Sequence, residues 1–421
     1  WTSTAGAAAS MEPRRREGGN PLMSLLLNNL DLVLVDGVRT PMAEYNGSFA
    51  DVSAIDLGAH AARALFAKTG IDPQEIDHTV VGNALQTSPD AIYGARHVAL
   101  KAGVPKEVPA LTVNRLCGSG VQSVISGAQA ILTGDATTCL VGGMENMSQA
   151  PHVIWGARRG FKLGQGQLQD LLMVSLMDSY CGCYMAQTSN NLARDFGISR
   201  EEQDQFAIRS QQRAGEAWAS CRMSEEVAPV EVGKGKRAKV IDKDDHLRPE
   251  TTMEDLAGLP TAFDKDGFVT AGNASGIVDG AAMMILSTEQ KAREKGWKPL
   301  GRILSWSVVG VDPSRMGIGP APAIRAALGK LGMELKDVDL FEINEAFAGQ
   351  ILAVIKDLDL DVDKLNVNGG AIALGHPLGA SGTRLLITLL KELNRRGGGR
   401  GVASACIGGG QGIAMVVEAA A

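Results

Sequence analysis

The feature that most constrains the fold of this 421-residue chain is an internal duplication. Residues 70–84 and 332–346 share one pattern, in which a glycine, a turn and a strand follow each other at a constant offset. A second matching pair, Val113-Asn114 and Val367-Asn368, precedes in each case a turn of small residues and a helix, and each unit then reaches a strand that ends in glycines. Similarity over this length indicates a duplicated half-domain rather than a short-period repeat. We therefore expect two similar halves that pack about a pseudo-twofold axis.

Strand-like and helix-like patterns alternate along the first half, which predicts an α/β fold with a largely covered sheet. The predicted strands are 32–35, 80–81, 110–113 and 138–142, and the predicted helices are 55–68, 91–102 and 119–133. The middle of the chain has no counterpart in the duplication and is richer in charge and turns. The predicted division is an N-terminal half at 31–144, a loop domain inserted over one face at 145–275, and a C-terminal half at 276–421.

Residues 1–30 are set apart from this alternation. They are rich in small residues, contain Arg14-Arg15-Arg16 and end in an apolar stretch at 22–27 that is short for the core of a signal peptide. A transit-like segment, a cloning remnant and a start at Met11 or Met23 are all consistent with them. We expect a bacterial cytoplasmic protein, or a protein of an organellar matrix if this extension is a transit segment.

Composition excludes several classes of protein. Hydrophobic residues make up 45% and charged residues 21% of the chain, which is ordinary for a globular protein with a sizeable core. The formal net charge of −6 argues against a nucleic-acid binder, and no apolar run approaches the roughly 20 residues that span a bilayer. The cysteines, at 117, 139, 181, 183, 221 and 406, are irregularly spaced, so we interpret them as reduced thiols and predict no metal site.

Cys117 lies in the segment Asn114-Arg115-Leu116-Cys117-Gly118-Ser119-Gly120, between a predicted strand and a predicted helix. A thiol at a helix N-terminus lies at the positive end of the helix dipole, which lowers its pKa and favours the thiolate. The neighbouring glycines leave room for a substrate to reach the sulfur. The alternative interpretation is a small cysteine packed at a turn.

Three C-terminal segments offer partners for such a nucleophile. His376 lies in a long run of small residues and suits a general base. Cys406 ends a strand, and the backbone N–H groups of Gly408–Gly410 could hold an oxyanion. Asn344, at another strand end, could hold a water or bond a carbonyl. Each has a structural alternative: a loop histidine bonded to backbone, a core cysteine, or a turn asparagine equivalent to Asn83.

Together these segments resemble the motifs of the thiolase family in order and spacing. The matching segments are N-R-L-C-G-S-G around Cys117, N-E-A-F from Asn344, G-H-P-L-G-A-S-G around His376, C-I-G-G-G-Q-G from Cys406, Val38-Arg39-Thr40-Pro41 and Ala271-Gly272-Asn273-Ala274-Ser275-Gly276. The resemblance covers about residues 31–419. It implies a five-layered αβαβα fold made of two duplicated halves and an inserted loop domain.

The resemblance also implies a role for each motif. Cys117 would attack the 3-keto carbonyl of a 3-ketoacyl-CoA, His376 would take the thiol proton, and Cys406 would exchange a proton with the acetyl group. A water held by Asn344, together with His376, would form one oxyanion site, and the N–H groups of Cys117 and Gly408 would form the other. Coenzyme A would be a substrate, with no prosthetic group. By analogy it would lie over the loop domain near Leu176, Met185, Arg248, Phe263, Ala271, Ser275, Met316, Ala346 and Phe347.

The subtype stays open at the level of sequence. Biosynthetic acetoacetyl-CoA thiolases usually carry a histidine at the position of Tyr184, whereas residues 147–152, 317–320 and 406–412 look closer to the 3-ketoacyl-CoA thiolases of fatty-acid oxidation, which we favour. More distant alternatives are a ketoacyl-carrier-protein synthase, whose relatives lack an equivalent of Cys406, and a non-catalytic thiolase-like lipid-binding protein. The family implies a homodimer or homotetramer.

Overall fold

Strands from both ends of the chain form the sheets on which the other elements pack. A computed structural model describes residues 31–419, so the predicted N-terminal extension lies outside the described residues. The strands are β1 (Leu32–Arg39), β2 (Ala43–Glu44), β3 (His78–Gly82), β4 (Ala110–Val113), β5 (Thr138–Glu145), β6 (His152–Val153), β7 (Gln169–Asp170), β8 (Met177–Asp178), β9 (Cys183–Tyr184), β10 (Val230–Val232), β11 (Lys239–Ile241), β12 (Val278–Thr288), β13 (Gly301–Gly310), β14 (Leu340–Ile343), β15 (Arg400–Ile407) and β16 (Gln411–Ala419).

The helices alternate with these strands in both halves. They are α1 (Ala54–Thr69), α2 (Gly94–Lys101), α3 (Ser119–Leu132), α4 (Leu171–Ser175), α5 (Met185–Asp195), α6 (Arg200–Ala219), α7 (Met253–Ala257), α8 (Glu289–Lys295), α9 (Pro320–Gly329), α10 (Ala348–Leu358), α11 (Ala371–Leu374) and α12 (Leu378–Arg395). Among residues 31–419, no helix combines the length and the apolar character needed to cross a membrane.

The elements predicted in the first half are confirmed, with local differences. Helix α1 begins after Ser53, whose hydroxyl caps the N–H of Asp56, and ends at Gly70, whose φ of +69° breaks the helix. The predicted helix at 91–102 is a 3₁₀ turn followed by α2. The glycines predicted to end the last strand of the first half lie inside β5. A side chain at Gly143 would collide with the carbonyl oxygen of Gly379, because the two halves touch there.

The sheet topology confirms the duplication. In the first half the strand order is β1-β12-β5-β3-β4, with β5, β3 and β4 parallel and the first two junctions antiparallel. In the second half the order is β13-β16-β15-β14, with the same sequence of directions, and a single parallel bridge from Phe341 to Leu365 occupies the place of the fifth strand. A short antiparallel ladder between β1 and β13 joins the two edges.

This topology moves the start of the C-terminal half. We predicted that it begins at residue 276, but β12 lies between β1 and β5 in the sheet of the first half. The chain therefore returns to the first half after the insertion, and the second half begins at β13. The other limits of the predicted division stay a proposal.

Alternating side chains of the strands divide the interior into layers. Val33 of β1 packs outward against α1 and α2, whereas Leu34 packs inward with α3 and α12. In β16, Val416 packs outward with α9 and α10, and Val417 packs inward. The resulting sequence of layers is helices, first sheet, central helices, second sheet and helices, as the thiolase-like fold requires.

The two central helices cross at glycines. A Cβ atom on Gly120 of α3 would lie 2.4 Å from the backbone nitrogen of Thr383, and one on Gly382 of α12 would lie 2.5 Å from that of Val121. Only glycine permits this distance between the backbones. The crossing brings the N-terminal ends of α3 and α12, one from each half, to the same place.

A buried ion cluster fastens the inserted segment to the first half. Arg39, at the end of β1, donates from Nε to Glu226 at 2.6 Å and from its two terminal nitrogens to Asp244 at 2.7 and 2.9 Å. All three side chains are buried. Removing one partner would leave an uncompensated buried charge, so the cluster fixes how the insertion lies over the halves.

Candidate active site

A cavity of about 480 Å³ opens beside the ends of the two central helices. Cys117 and His376 both line it. So do the residues expected to contact coenzyme A, apart from one: the lining includes Leu176, Met185, Phe263, Ala271, Ser275, Met316, Ala346 and Phe347. The structure therefore brings together distant segments of the sequence, since Cys117 and His376 are 259 positions apart.

Arg248 is the exception among these expected contacts. It lines a neighbouring cavity of about 240 Å³ rather than the main one. The two cavities share Glu44, His246 and Ala271 in their linings, so they are adjacent parts of one surface.

Cys117 lies in a 3₁₀ turn, Leu116–Gly118, immediately before α3. The preceding residue, Leu116, has φ of +46°, a left-handed conformation that is unfavourable for leucine. Hydrogen bonds hold this conformation: Asn114 Oδ1 accepts from the N–H of Leu116 at 2.9 Å, and Ser119 Oγ donates to its carbonyl at 2.7 Å. The turn directs the thiol toward the cavity at a cost in backbone strain, as is found at functional sites.

The expectation of a Cys117 thiolate is wrong for the unliganded protein. Desolvation by the surrounding protein raises the pKa of the thiol to about 11, although one edge of the residue is exposed to the cavity. Backbone N–H groups of Gly408 and of Cys117 itself lower this pKa but do not offset the burial. The sulfur is therefore protonated at neutral pH, with two N–H donors directed at it.

His376 is held as a neutral base. Burial, and to a smaller extent the nearby Arg384 guanidinium, lowers the pKa of its imidazole to about 3. Ser381 Oγ donates to the carbonyl of Pro377 at 3.0 Å, so at 2.6 Å from His376 Nδ1 it accepts the ring N–H. This fixes the proton on Nδ1 and makes Nε2 the accepting nitrogen, which faces Asn344 Nδ2.

Asn344 adds a polar group with one unsatisfied position. Its Nδ2 lies 3.3 Å from His376 Nε2, and its Oδ1 is buried with no hydrogen-bond partner in the described part of the chain. A buried carbonyl oxygen without a partner is costly unless a water or a ligand satisfies it. This geometry fits the expected role of holding a water beside the imidazole.

Cys406 lies behind the cavity, at the end of β15. It is fully buried in an apolar cluster with Met316 and Ala346, both of which line the cavity. Burial and the neighbouring Cys117 raise the pKa of its thiol. Cys406 is therefore a neutral proton donor in the resting site.

Sequence reasoning missed two residues that organise this site. Ser381 orients the imidazole of His376. The feature of the sequence that could have indicated this role is the position of Ser381 in the first turn of the helix that follows His376. Glu145 accepts hydrogen bonds from the N–H groups of Ala84 and Leu85 in the first half and of Gly379 in the second. Burial raises the pKa of Glu145 to about 7, while these donors lower it. Glu145 lies three residues beyond the predicted strand 138–142, at the end of the longer β5.

A buried thiol, a neutral imidazole, a second thiol and an unpaired amide oxygen together suit an enzyme that transfers acyl groups. Comparison with known families agrees with this class. Residues 32–290 match the thiolase N-terminal domain, and residues 297–419 match the thiolase C-terminal domain. The chain belongs to the thiolase family, and the predicted family, fold and acyltransferase class are confirmed.

Individual relatives fall into two groups. The chain is 51% identical to the human mitochondrial 3-ketoacyl-CoA thiolase over 389 residues, which cover 92% of this chain and 98% of that protein. It is 45% identical to the acetyl-CoA acetyltransferase of Cupriavidus necator over 390 residues, which cover 92% of this chain and 99% of that protein. A crystal structure of the human mitochondrial 3-ketoacyl-CoA thiolase in complex with CoA superposes with a TM-score of 0.90, covering 92% of this chain and 98% of that one.

Proposed function

We propose that this thiolase cleaves 3-ketoacyl-CoA with coenzyme A, giving acetyl-CoA and an acyl-CoA shortened by two carbons, and that it catalyses the reverse condensation. The observation that carries the proposal is that Cys117 and His376, from opposite halves, line one cavity, with Cys406 and Asn344 directly behind it. Coenzyme A is a substrate of the cleavage and a product of the reverse condensation.

The first step is an attack by Cys117 on the 3-keto carbon. Because the thiol has a pKa near 11 and the imidazole a pKa near 3, a resting thiolate–imidazolium pair is strongly disfavoured. The proton therefore moves to His376 Nε2 as the sulfur–carbon bond forms. The N–H groups of Gly408 and Cys117, which face the sulfur, are available to the oxyanion that develops beside it.

The second step breaks the bond between C2 and C3 of the substrate. The acyl group stays on Cys117, and the electron pair passes to the acetyl-CoA fragment as an enolate. Nε2–H of the His376 imidazolium and a water on Asn344 stabilise the enolate oxygen, and the buried Cys406 thiol protonates its carbon. Coenzyme A then donates its thiol proton to Cys406, attacks the acyl-Cys117 carbonyl and leaves as the shortened acyl-CoA, while His376 returns the proton to Cys117.

The chain-length preference decides between two subtypes. The higher identity to a 3-ketoacyl-CoA thiolase and the presence of Tyr184 instead of histidine favour a degradative enzyme. Tyr184 packs its ring 4.9 Å from that of Phe263, and both line the cavity. A biosynthetic acetoacetyl-CoA thiolase is the second candidate, supported by the 45% identity to acetyl-CoA acetyltransferases.

Steady-state thiolysis tests both the reaction and the subtype. Acetoacetyl-CoA is compared with 3-ketoacyl-CoA substrates of six to ten carbons, and acetyl-CoA formation is measured. We expect turnover of all of them, with higher kcat/KM for the longer ones; activity confined to acetoacetyl-CoA would make the second candidate correct. No cleavage of any 3-ketoacyl-CoA would refute the reaction.

Cys117→Ser tests the nucleophile. We expect the variant to lose turnover and covalent acetylation, because a serine hydroxyl in this site is a poorer nucleophile and leaving group. Cys221→Ser is the matched control, since Cys221 is an exposed cysteine outside the cavity. An unchanged rate in Cys117→Ser would remove Cys117 from its role.

We also propose that the protein forms a homodimer or homotetramer and acts in the bacterial cytoplasm or an organellar matrix. The family is the support for the assembly, and the occurrence of bacterial and mitochondrial relatives is the support for the location. Sedimentation velocity measures the first, and microscopy of the tagged chain in its own cell measures the second.

A further inference from the structure

One end of a coenzyme A thioester carries several phosphate charges, so a site that binds the whole molecule needs positive charge at that end. The main cavity is lined mostly by apolar side chains, which suit the acyl and pantetheine parts. Among the described residues that line either cavity, Arg248 is the only one with a permanent positive charge. Within these two cavities, the phosphate end of the substrate therefore has one arginine available to it.

That arginine is already engaged. Its Nη2 donates to Glu44 Oε1 at 2.8 Å, and its Nη1 donates to the carbonyls of Asp245 and Leu247 at 2.7 and 2.9 Å. His246 Nδ1 lies 3.1 Å from the same oxygen of Glu44. The one cation at this end is thus paired with a carboxylate.

Glu44 is positioned for this contact by the backbone. It belongs to β2, which pairs with β12, and its N–H donates to Asp245 Oδ1 at 2.6 Å. It also lines both cavities, so the carboxylate lies where the two meet. Its side chain is 41% exposed and that of Arg248 is 56% exposed, so the pair is solvated and readily exchanged for another anion.

We infer that Glu44 is a specificity-determining residue that weakens the binding of the phosphate end of coenzyme A by competing for Arg248. This inference rests on the proposed function, which supplies the ligand. A phosphate that binds Arg248 must displace the carboxylate or lie beside it, and both reduce affinity. Thioesters that end at pantetheine have no phosphate, so Glu44 does not reduce their affinity. Glu44 therefore makes the difference in affinity between coenzyme A thioesters and pantetheine thioesters smaller.

The test is Glu44→Gln, which keeps the shape of the side chain and removes its charge. We expect the Kd for coenzyme A, measured by titration calorimetry, and its KM in thiolysis to fall more than two-fold and up to about five-fold, because an exposed ion pair of this kind no longer has to be broken. The KM for pantetheine as the accepting thiol stays unchanged. With coenzyme A, only KM is expected to fall, and kcat stays unchanged. The gain shrinks as ionic strength rises.

Two further variants isolate the cause. Glu250→Gln removes the same charge from an exposed residue two positions after Arg248 that lines neither cavity, and we expect no change in Kd. When Glu44→Gln is added to Arg248→Gln, we expect the Kd for coenzyme A to change by less than two-fold further. The reason is that the arginine for which Glu44 and the phosphate compete is no longer present.

A Kd for coenzyme A within two-fold of wild type in Glu44→Gln would overturn the inference. An equal fall in KM for pantetheine would also overturn it, because the effect would then lie in the shape of the cavity. Since the calorimetry needs no turnover, an enzyme that binds coenzyme A but cleaves no 3-ketoacyl-CoA would refute the proposed reaction and leave the binding result to be judged separately.

Discussion

Replacing Ser381 by alanine removes one hydroxyl and no charge, yet we expect it to impair catalysis severely. In the wild-type structure the Ser381 hydroxyl donates to the Pro377 carbonyl and therefore accepts the proton of His376 Nδ1 at 2.6 Å. Both side chains are buried, so no solvent replaces the lost acceptor. The imidazole can then move its proton to Nε2, the nitrogen that must receive the proton of Cys117.

The size of the effect follows from the unpaired group. A buried donor without a partner costs about 1–3 kcal/mol, which is the free energy by which Ser381 favours the productive tautomer. At about 1.4 kcal/mol for each factor of ten, kcat falls about 5- to 160-fold. The KM for substrate stays within about two-fold, because Ser381 does not line the cavity.

The assay is steady-state thiolysis of acetoacetyl-CoA. Its matched control is Ser305→Ala, which removes an equally buried hydroxyl that donates to the carbonyl of Ala327 in the second half. Ser381→Ala loses two buried hydrogen bonds and Ser305→Ala loses one, so a loss of thermal stability is expected in both variants and a loss of kcat only in Ser381→Ala. If Ser381→Ala kept more than half of the wild-type kcat, the tautomer argument would be refuted.

The remaining predictions concern other parts of the site. Asn344→Ala should lower kcat by about 10²- to 10³-fold in thiolysis, as loss of an oxyanion donor does; a loss below ten-fold would contradict a water held there. Glu145→Gln should lower the free energy of unfolding by about 1–3 kcal/mol in urea titrations, because its amide would face N–H donors such as that of Gly379. Alkylation of Cys117 by iodoacetamide, followed by peptide mass spectrometry, should accelerate about ten-fold per pH unit from pH 6 to 9, since its pKa is raised to about 11 and His376 stays neutral above about pH 3; a plateau below pH 8 would show a resting thiolate.

The sequence predicts the halves and the motifs of this protein because both depend on local or repeated patterns. The duplication of residues 70–84 and 332–346 predicts two similar halves, and their strand orders match. The glycines around Cys117 were expected to leave room for a substrate, whereas Gly120 allows the close crossing of α3 and α12. The boundary at residue 276 was wrong because strand order is a long-range property. Nothing in the pattern of β12 says that it lies between β1 and β5.

The chemistry of single residues was harder to predict than their location. The place of Cys117 before a helix predicts a lowered pKa, but burial by the folded protein raises the pKa more than the backbone N–H groups lower it. Arg248 was expected beside coenzyme A, but a sequence cannot show that Glu44, about two hundred positions away, already occupies its guanidinium. The tautomer of His376 likewise depends on where the Ser381 hydroxyl points, which only the folded helix fixes.

The crossing of α3 and α12 at Gly120 and Gly382 has a consequence for how this enzyme comes into being. Cys117 belongs to one half and His376 to the other, and they become neighbours only when these two helices dock. A newly made chain whose first half has folded holds a nucleophile without its base. Catalytic competence therefore cannot precede the docking of these helices, so activity regained on refolding reports that the two halves have joined, whereas helix content reports the folding of either half alone.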